Sequence, residues 1–220
     1  MNKESRLQEA YLSRLEKQRR KIMAARILLA LAFFLLWETA ADRGWIDSFF
    51  FSSPSRLGRL FLSMWRDGSL FLHVGITLTE TLVSFALVVV IGLAVSLLLW
   101  LSDSVFQVLE PYLVILNSLP KSALAPLLIV WLGANSRTII VAGMSVAIFG
   151  TILNLYTGFT ETSREKIRLI YTLHGTKKDA LTKVVLPSTL PMIISIMKVN
   201  IRLCLVGVVI GEFIGARNGL

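Results

Sequence analysis

The 220-residue chain reads as an all-α protein, a polytopic bundle of helices that crosses a membrane several times. Three observations carry that reading. Hydrophobic residues make up 55% of the chain and charged residues only 17%. The charge sits in a few islands between apolar stretches of bilayer length, whereas a soluble domain would alternate apolar stripes with charged faces. Such stretches are expected to be helical, because lipid offers no partner to backbone polar groups and a helix satisfies its own.

Taken in order, residues 1–21 form a basic arm ending in "KQRRK", either an amphipathic surface helix or disordered, and residues 22–220 form the membrane domain. The first apolar segment, about 22–42, follows the arm without a small-residue cleavage site, so it reads as a retained span rather than a secretory signal. Trp37 and Trp45 mark its far interface. Residues 43–71, containing "FFFSSPSRLGRLF", form a connection suited to lying along the membrane surface. A second span covers about 72–101 and is long enough to tilt. The third, about 106–132, contains Pro111, Pro120 and Pro126. Proline removes a donor and clashes with the preceding turn, so this span is expected to be kinked or broken. A fourth span covers about 138–158 and a fifth about 188–212. The chain stops at "GARNGL", and a sixth span is expected to be missing beyond it.

The net charge of +9 would raise nucleic acid as a partner in a soluble protein. Here the cations sort by loop. The arm up to Arg26 holds eight and the segment from Arg164 to Lys183 holds six, against six on the opposite side. That bias places the N-terminus and the 164–183 segment in the cytoplasm and excludes nucleic acid as the partner. Cys204, the single cysteine, excludes an internal disulfide and reads as a small packing residue.

The segment "LHGTKKDALTKVVLPSTLP" predicts a cytoplasmic elbow within residues 160–187. Thr162 with Glu165, and Thr176 with Asp179, have the spacing of capping boxes. Gly175, placed before the second box, suits the left-handed end of a helix. The expected shape is a helix over about 163–174, a sharp turn at Gly175 and a helix over about 177–186 that Pro187 limits. Ile167, Ile170, Tyr171 and His174 share one face of the first helix. Ala180, Leu181, Val184 and Val185 share one face of the second. Those faces are expected to rest on the spans. A rigid protrusion of this kind suits docking of a soluble partner, although a well-capped surface loop has the same pattern. A DNA-binding helix-turn-helix does not fit between two spans.

"GTKKDALTKVVLP" resembles the signature of ABC-importer permeases, in which a glycine is followed at fixed spacing by an apolar residue and Leu-Pro. Gly175, Val184, Leu186 and Pro187 match that spacing, while Leu169, Ile170 and Tyr171 occupy the positions of the signature's Glu-Ala-Ala run. The resemblance extends over about residues 50–220. "HVGITLTETLVSFALVVVIGLAVSLLL", "LEPYLVILNSLPKSALAPLLIVWLGANS", "NLYTGF" and "GEFIGARNGL" occur in the order of the nitrate, sulfonate and taurine branch, which includes importers of vitamin precursors. The resemblance implies a type I ABC importer permease of the inner membrane. It implies a homo- or heterodimer with a second permease chain, two cytoplasmic ATPase subunits and an extracytoplasmic solute-binding protein. The docking elbow would include Tyr171, His174, Gly175, Thr176, Lys177, Asp179, Ala180, Leu186 and Pro187. No phosphate-binding loop G-x-x-x-x-G-K-[ST] occurs, so ATP and Mg belong to the partner ATPase, and this chain carries no cofactor of its own.

Ionisable groups at membrane depth are costly and usually face a bundle interior or a pore. Glu80, Lys121, Lys198, Arg202 and Glu212 are therefore the candidate pathway residues. Lys198 and Arg202, four apart, share a helix face and would attract an anionic solute such as a sulfonate, taurine or nitrate. Pairing with Glu80 or Glu110, or snorkelling to the interface, is the competing role. A vitamin precursor is the alternative solute. Gly207, Gly211, Gly215 and Gly219 recur every four residues and would form a strip for close helix packing or a dimer contact. His73 and His174 are far apart with no Cys/His cluster, so no metal site is supported. Two other functions remain open on residues alone. One is a non-transporting membrane anchor or scaffold. The other is an ion-coupled carrier, which would carry a repeated pair of broken helices.

Overall fold

The computed structural model describes residues 3–47 and 51–215, in two compact units, 1–70 and 71–220. Residues 48–50 of the connection, Arg217, Gly219 and the tail before the expected sixth span lie outside the described residues.

In the first unit, α1 (Lys3–Asp42) runs without a break from the basic arm into the first span. The chain then turns, with Gly44 left-handed at φ +68. Helix α2 (Pro54–Arg66) starts at Ser53, whose side chain accepts from Arg56 N, with Pro54 in the first turn, where a missing N–H costs nothing. The Glu38 carboxylate accepts from the Ser55 amide at 3.0 Å and from its hydroxyl at 2.6 Å, tying α2 to α1. Helix α2 is amphipathic: Leu57, Leu60, Phe61 and Trp65 form an exposed apolar face, with Arg56, Arg59 and Arg66 beside it.

The second unit comprises α3 (Ser69–Leu101), α4 (Asp103–Ser118), α5 (Lys121–Leu132), α6 (Ser136–Thr160), α7 (Arg164–Thr172), α8 (Lys177–Ala180) and α9 (Leu186–Gly215). Helix α6 is central, with α4, α5 and α9 packed on it. The Ser84 hydroxyl lies 3.0 Å from Ile140 O and the Ser96 hydroxyl 3.3 Å from Ile152 O. Both partners advance by the same number of residues, so α3 and α6 run parallel in close contact. Gly92 lies between the serines, and a Cβ there would stand 3.0 Å from Thr151 Cγ2. Helix α9 crosses α6 at Gly207, where a Cβ would stand 2.8 Å from Gly143 Cα. Gly211 continues that contact against Ile139, and Gly215 meets Ile129 of α5. Three glycines of the predicted strip thus serve packing within the chain.

Among the described residues four helices are long and apolar enough to cross a membrane, or five if α4 and α5, bent by 101° at their junction, count as one broken span. Only Pro120 breaks it. Leu119, held extended at φ −61, ψ 141 by the proline that follows, ends α4, while Pro111 and Pro126 stay inside helices. Pro187 was expected to limit the elbow helix and does not. Residues Lys177–Gly215 form one continuous rod through a π turn at Leu181–Val185. There the Leu186 amide bonds to Leu181 O, five residues back. The wider turn opens the ladder where Pro187 enters without a donor.

Candidate functional site

The elbow is built by two end-on motifs. Helix α7 closes with Gly175 N donating to Ile170 O at 2.9 Å and His174 N to Tyr171 O at 3.0 Å, the paired bonds of a Schellman ending. The left-handed residue is His174, at φ +59, and not Gly175. Gly175 is required for a different reason: a Cβ there would stand 2.9 Å from Ile170 O and 2.5 Å from Ile170 Cγ2. Helix α8 opens with the predicted box. Asp179 N donates to Thr176 Oγ1 at 3.3 Å, and Thr176 N donates to Asp179 Oδ2 at 2.9 Å. Lys183 Nζ adds a 2.8 Å ion pair to Asp179. The first predicted box does not form: Ser163, not Thr162, caps α7, and Thr162 Oγ1 is buried without a partner.

The elbow rests on a core of Trp100, Leu155, Phe159, Ala180, Leu181 and Val185, with Ile167, Ile170 and Leu186 packed against it. Lys177 Nζ donates to Leu101 O at 3.0 Å and stands over the Trp100 ring, clasping the elbow to the end of α3. Tyr171 and His174 do not join this buried face. A nine-residue helix presents a narrow stripe, and Ile167 and Ile170 fill it. Tyr171 stays exposed (46%), beside Leu169 (59%) and Leu173 (71%). His174 and Pro187 are also exposed. The outer side of the elbow is therefore an unpartnered apolar and basic surface.

The candidate pathway residues separate into three places. Glu80 and Glu212, each 4% exposed, come together toward the far end of the unit from the elbow, with Ser136 beside Glu80. Thr77 Oγ1 lies 2.8 and 2.9 Å from the two Glu212 oxygens, whereas both Glu80 oxygens are buried without a hydrogen bond. A cleft of about 450 Å³ opens on Glu80 between α3 and α6. Lys121 stands elsewhere, on a cavity of about 280 Å³ between α4, α5, α6 and α9 that it shares with Asn117, Asn154 and Asn200. Lys198 and Arg202 are exposed on the side of α9 turned away from its buried residues Asn200, Cys204 and Gly207. Neither pairs with Glu80 or Glu110 among the described residues.

Several residues escaped the sequence reading. Asn117, Asn154 and Asn200 are polar residues inside apolar runs and were findable as such, but only the fold shows that they converge. Ser84, Gly92 and Ser96 are small residues in register on α3, the same signal that marked the glycines of α9.

The family model described as the binding-protein-dependent transport system inner membrane component matches residues 86–220. The formylaminopyrimidine transport permease protein ThiX of Halalkalibacterium halodurans is 28% identical over 193 residues, 88% of this chain and 76% of that protein. The putative aliphatic sulfonates transport permease protein SsuC of Bacillus subtilis is 24% identical over 194 residues, 88% of this chain and 70% of that protein. The taurine transport system permease protein TauC of Escherichia coli is 25% identical over 191 residues, 84% and 69%.

Proposed function

Because the chain belongs to the family of binding-protein-dependent transport system inner membrane components, we propose that it forms the solute pathway of an ATP-driven importer and docks the ATPase through its elbow. It is an ABC importer permease and not an enzyme; ATP is hydrolysed by a separate ATPase subunit. The observation that carries the docking role is the elbow's outer surface. Leu169, Tyr171 and Leu173 stay exposed on a turn stapled by a Schellman ending and a capping box. A stiff apolar knob on a well-anchored base suits transmission of rigid-body motion into α9, since the elbow's second arm and that span are one rod over Lys177–Gly215.

In this reading a second permease chain faces the exposed side of α9, and a binding protein delivers the solute from outside. Lys198 and Arg202 at depth on an exposed face support a water-filled pathway there, since lipid would exact a large desolvation cost. Their charge favours a small anion such as a sulfonate, taurine or nitrate. The likeness to a permease named for formylaminopyrimidine supports a second reading, a vitamin precursor. The cation bias supports a cytoplasmic N-terminus.

Co-purification of the full chain with its cognate ATPase in detergent tests the docking. Leu173→Glu alters an exposed side chain and is expected to cut ATPase retention at least tenfold while leaving the chain folded. Retention equal to wild type would remove the docking role from this surface. For the solute, Arg202→Gln is expected to lower uptake of sulfonate, taurine or nitrate severalfold. Unchanged uptake of all three by a folded variant would exclude the anion pathway at this residue.

A further inference from the structure

We propose that the cavity enclosed by the α4–α5 break, α6 and α9 binds a small oxyanion inside a single chain, apart from the face carrying Lys198 and Arg202. The inference rests on the permease reading but adds a site to it. The cavity, about 280 Å³, lies at the low end of small-molecule pockets, so it selects for size.

Its lining is rich in donors. Lys121 brings an ammonium group from the first residue of α5, where the chain resumes a helix after Pro120 with no side chain capping its free amides. Asn200, only 3% exposed, lines the same cavity, and its Nδ2 is buried without an acceptor. A buried amide with no acceptor is uncommon and marks a place that a ligand or a water fills. Asn117 and Asn154 add further carboxamides from α4 and α6.

Gly150 keeps this space open. A Cβ there would stand 3.1 Å from Asn117 Oδ1. Among the cavity's lining residues none is acidic, so the ammonium group has no carboxylate beside it there. A cation at a broken helix start and an amide that needs an acceptor, both lining one cavity, match a compact anion with several oxygens. The ammonium charge and the orphan amide both disfavour a cationic or wholly apolar ligand.

The location gives the site a function. It joins three spans, and α9 is continuous with the elbow. Motion of the elbow would change the cavity's walls, coupling anion occupancy to the ATPase cycle.

The test is isothermal titration of methanesulfonate into the detergent-purified full chain, with and without its ATPase, in a chloride-free buffer. Wild type is expected to bind one anion per chain, with choline inert. Lys121→Gln and Asn200→Leu should each weaken binding at least tenfold. Lys17→Gln, on the exposed N-terminal arm, should leave it unchanged. Gly150→Ala, a small change, should weaken binding severalfold by displacing Asn117, and it guards against misfolding of the Asn200 variant. Equal binding by wild type, Lys121→Gln and Gly150→Ala would overturn the proposal. So would a wild-type chain that retains its ATPase and transports but binds no methanesulfonate, in which case water alone satisfies Asn200. If the chain binds the anion through Lys121 yet holds no ATPase, the site stands and the docking role of the elbow falls.

Discussion

Single atoms decide much of this structure. At Gly207 an added methyl group would meet the Cα of Gly143 at 2.8 Å, and backbone does not yield as a side-chain tip would. Gly207→Ala is expected to cost about 1–3 kcal/mol, the range for overpacking a tight contact, read as a lower midpoint of thermal unfolding in detergent. His174 holds a left-handed conformation that β-branched residues resist. His174→Val should therefore destabilise the elbow by more than about 1 kcal/mol, whereas His174→Gly should be close to neutral. Amide exchange across residues 173–180 measures both. Removing the cap with Thr176→Ala should speed exchange at the start of α8, consistent with a loss of about 0.5–2 kcal/mol.

Elements show where local rules hold and where they yield. The two arms of the elbow were legible from a glycine, a capping pair and two apolar faces. The continuity of the second arm with the fifth span was not, because a proline normally ends a helix and only the π turn absorbs it. The broken third span was legible from its prolines. Which of the three would break it depended on the residue before Pro120 turning extended, while Pro111 and Pro126 keep their helices. Helix α2 bears its apolar and basic faces side by side, as an interfacial helix does. In a variant whose other four tryptophans are replaced by Phe, Trp65 fluorescence should be quenched by nitroxides near the lipid headgroups more strongly than by nitroxides at the bilayer centre. Stronger quenching at the centre would place α2 within the hydrocarbon.

At the scale of the whole molecule, the cation bias makes a testable statement about orientation. In a Cys204→Ser background, cysteine at Arg168 should react with an impermeant maleimide only after the membrane is opened. Cysteine at Arg56 should react in intact cells. The reverse pattern would invert the topology. The class of the molecule, its spans and its elbow follow from apolar length, charge islands and helix-end chemistry, all of which act between near neighbours in the chain and are therefore visible in its order. The gathering of Lys121 with Asn117, Asn154 and Asn200, the meeting of Glu80 with Glu212, and the exposure of Lys198 and Arg202 join residues up to 132 positions apart or depend on which face a helix turns inward. Those outcomes are set by the close approach of α3, α6 and α9 at Ser84, Gly143 and Gly207, where small residues fix helix rotation, and periodicity along one helix does not specify that rotation.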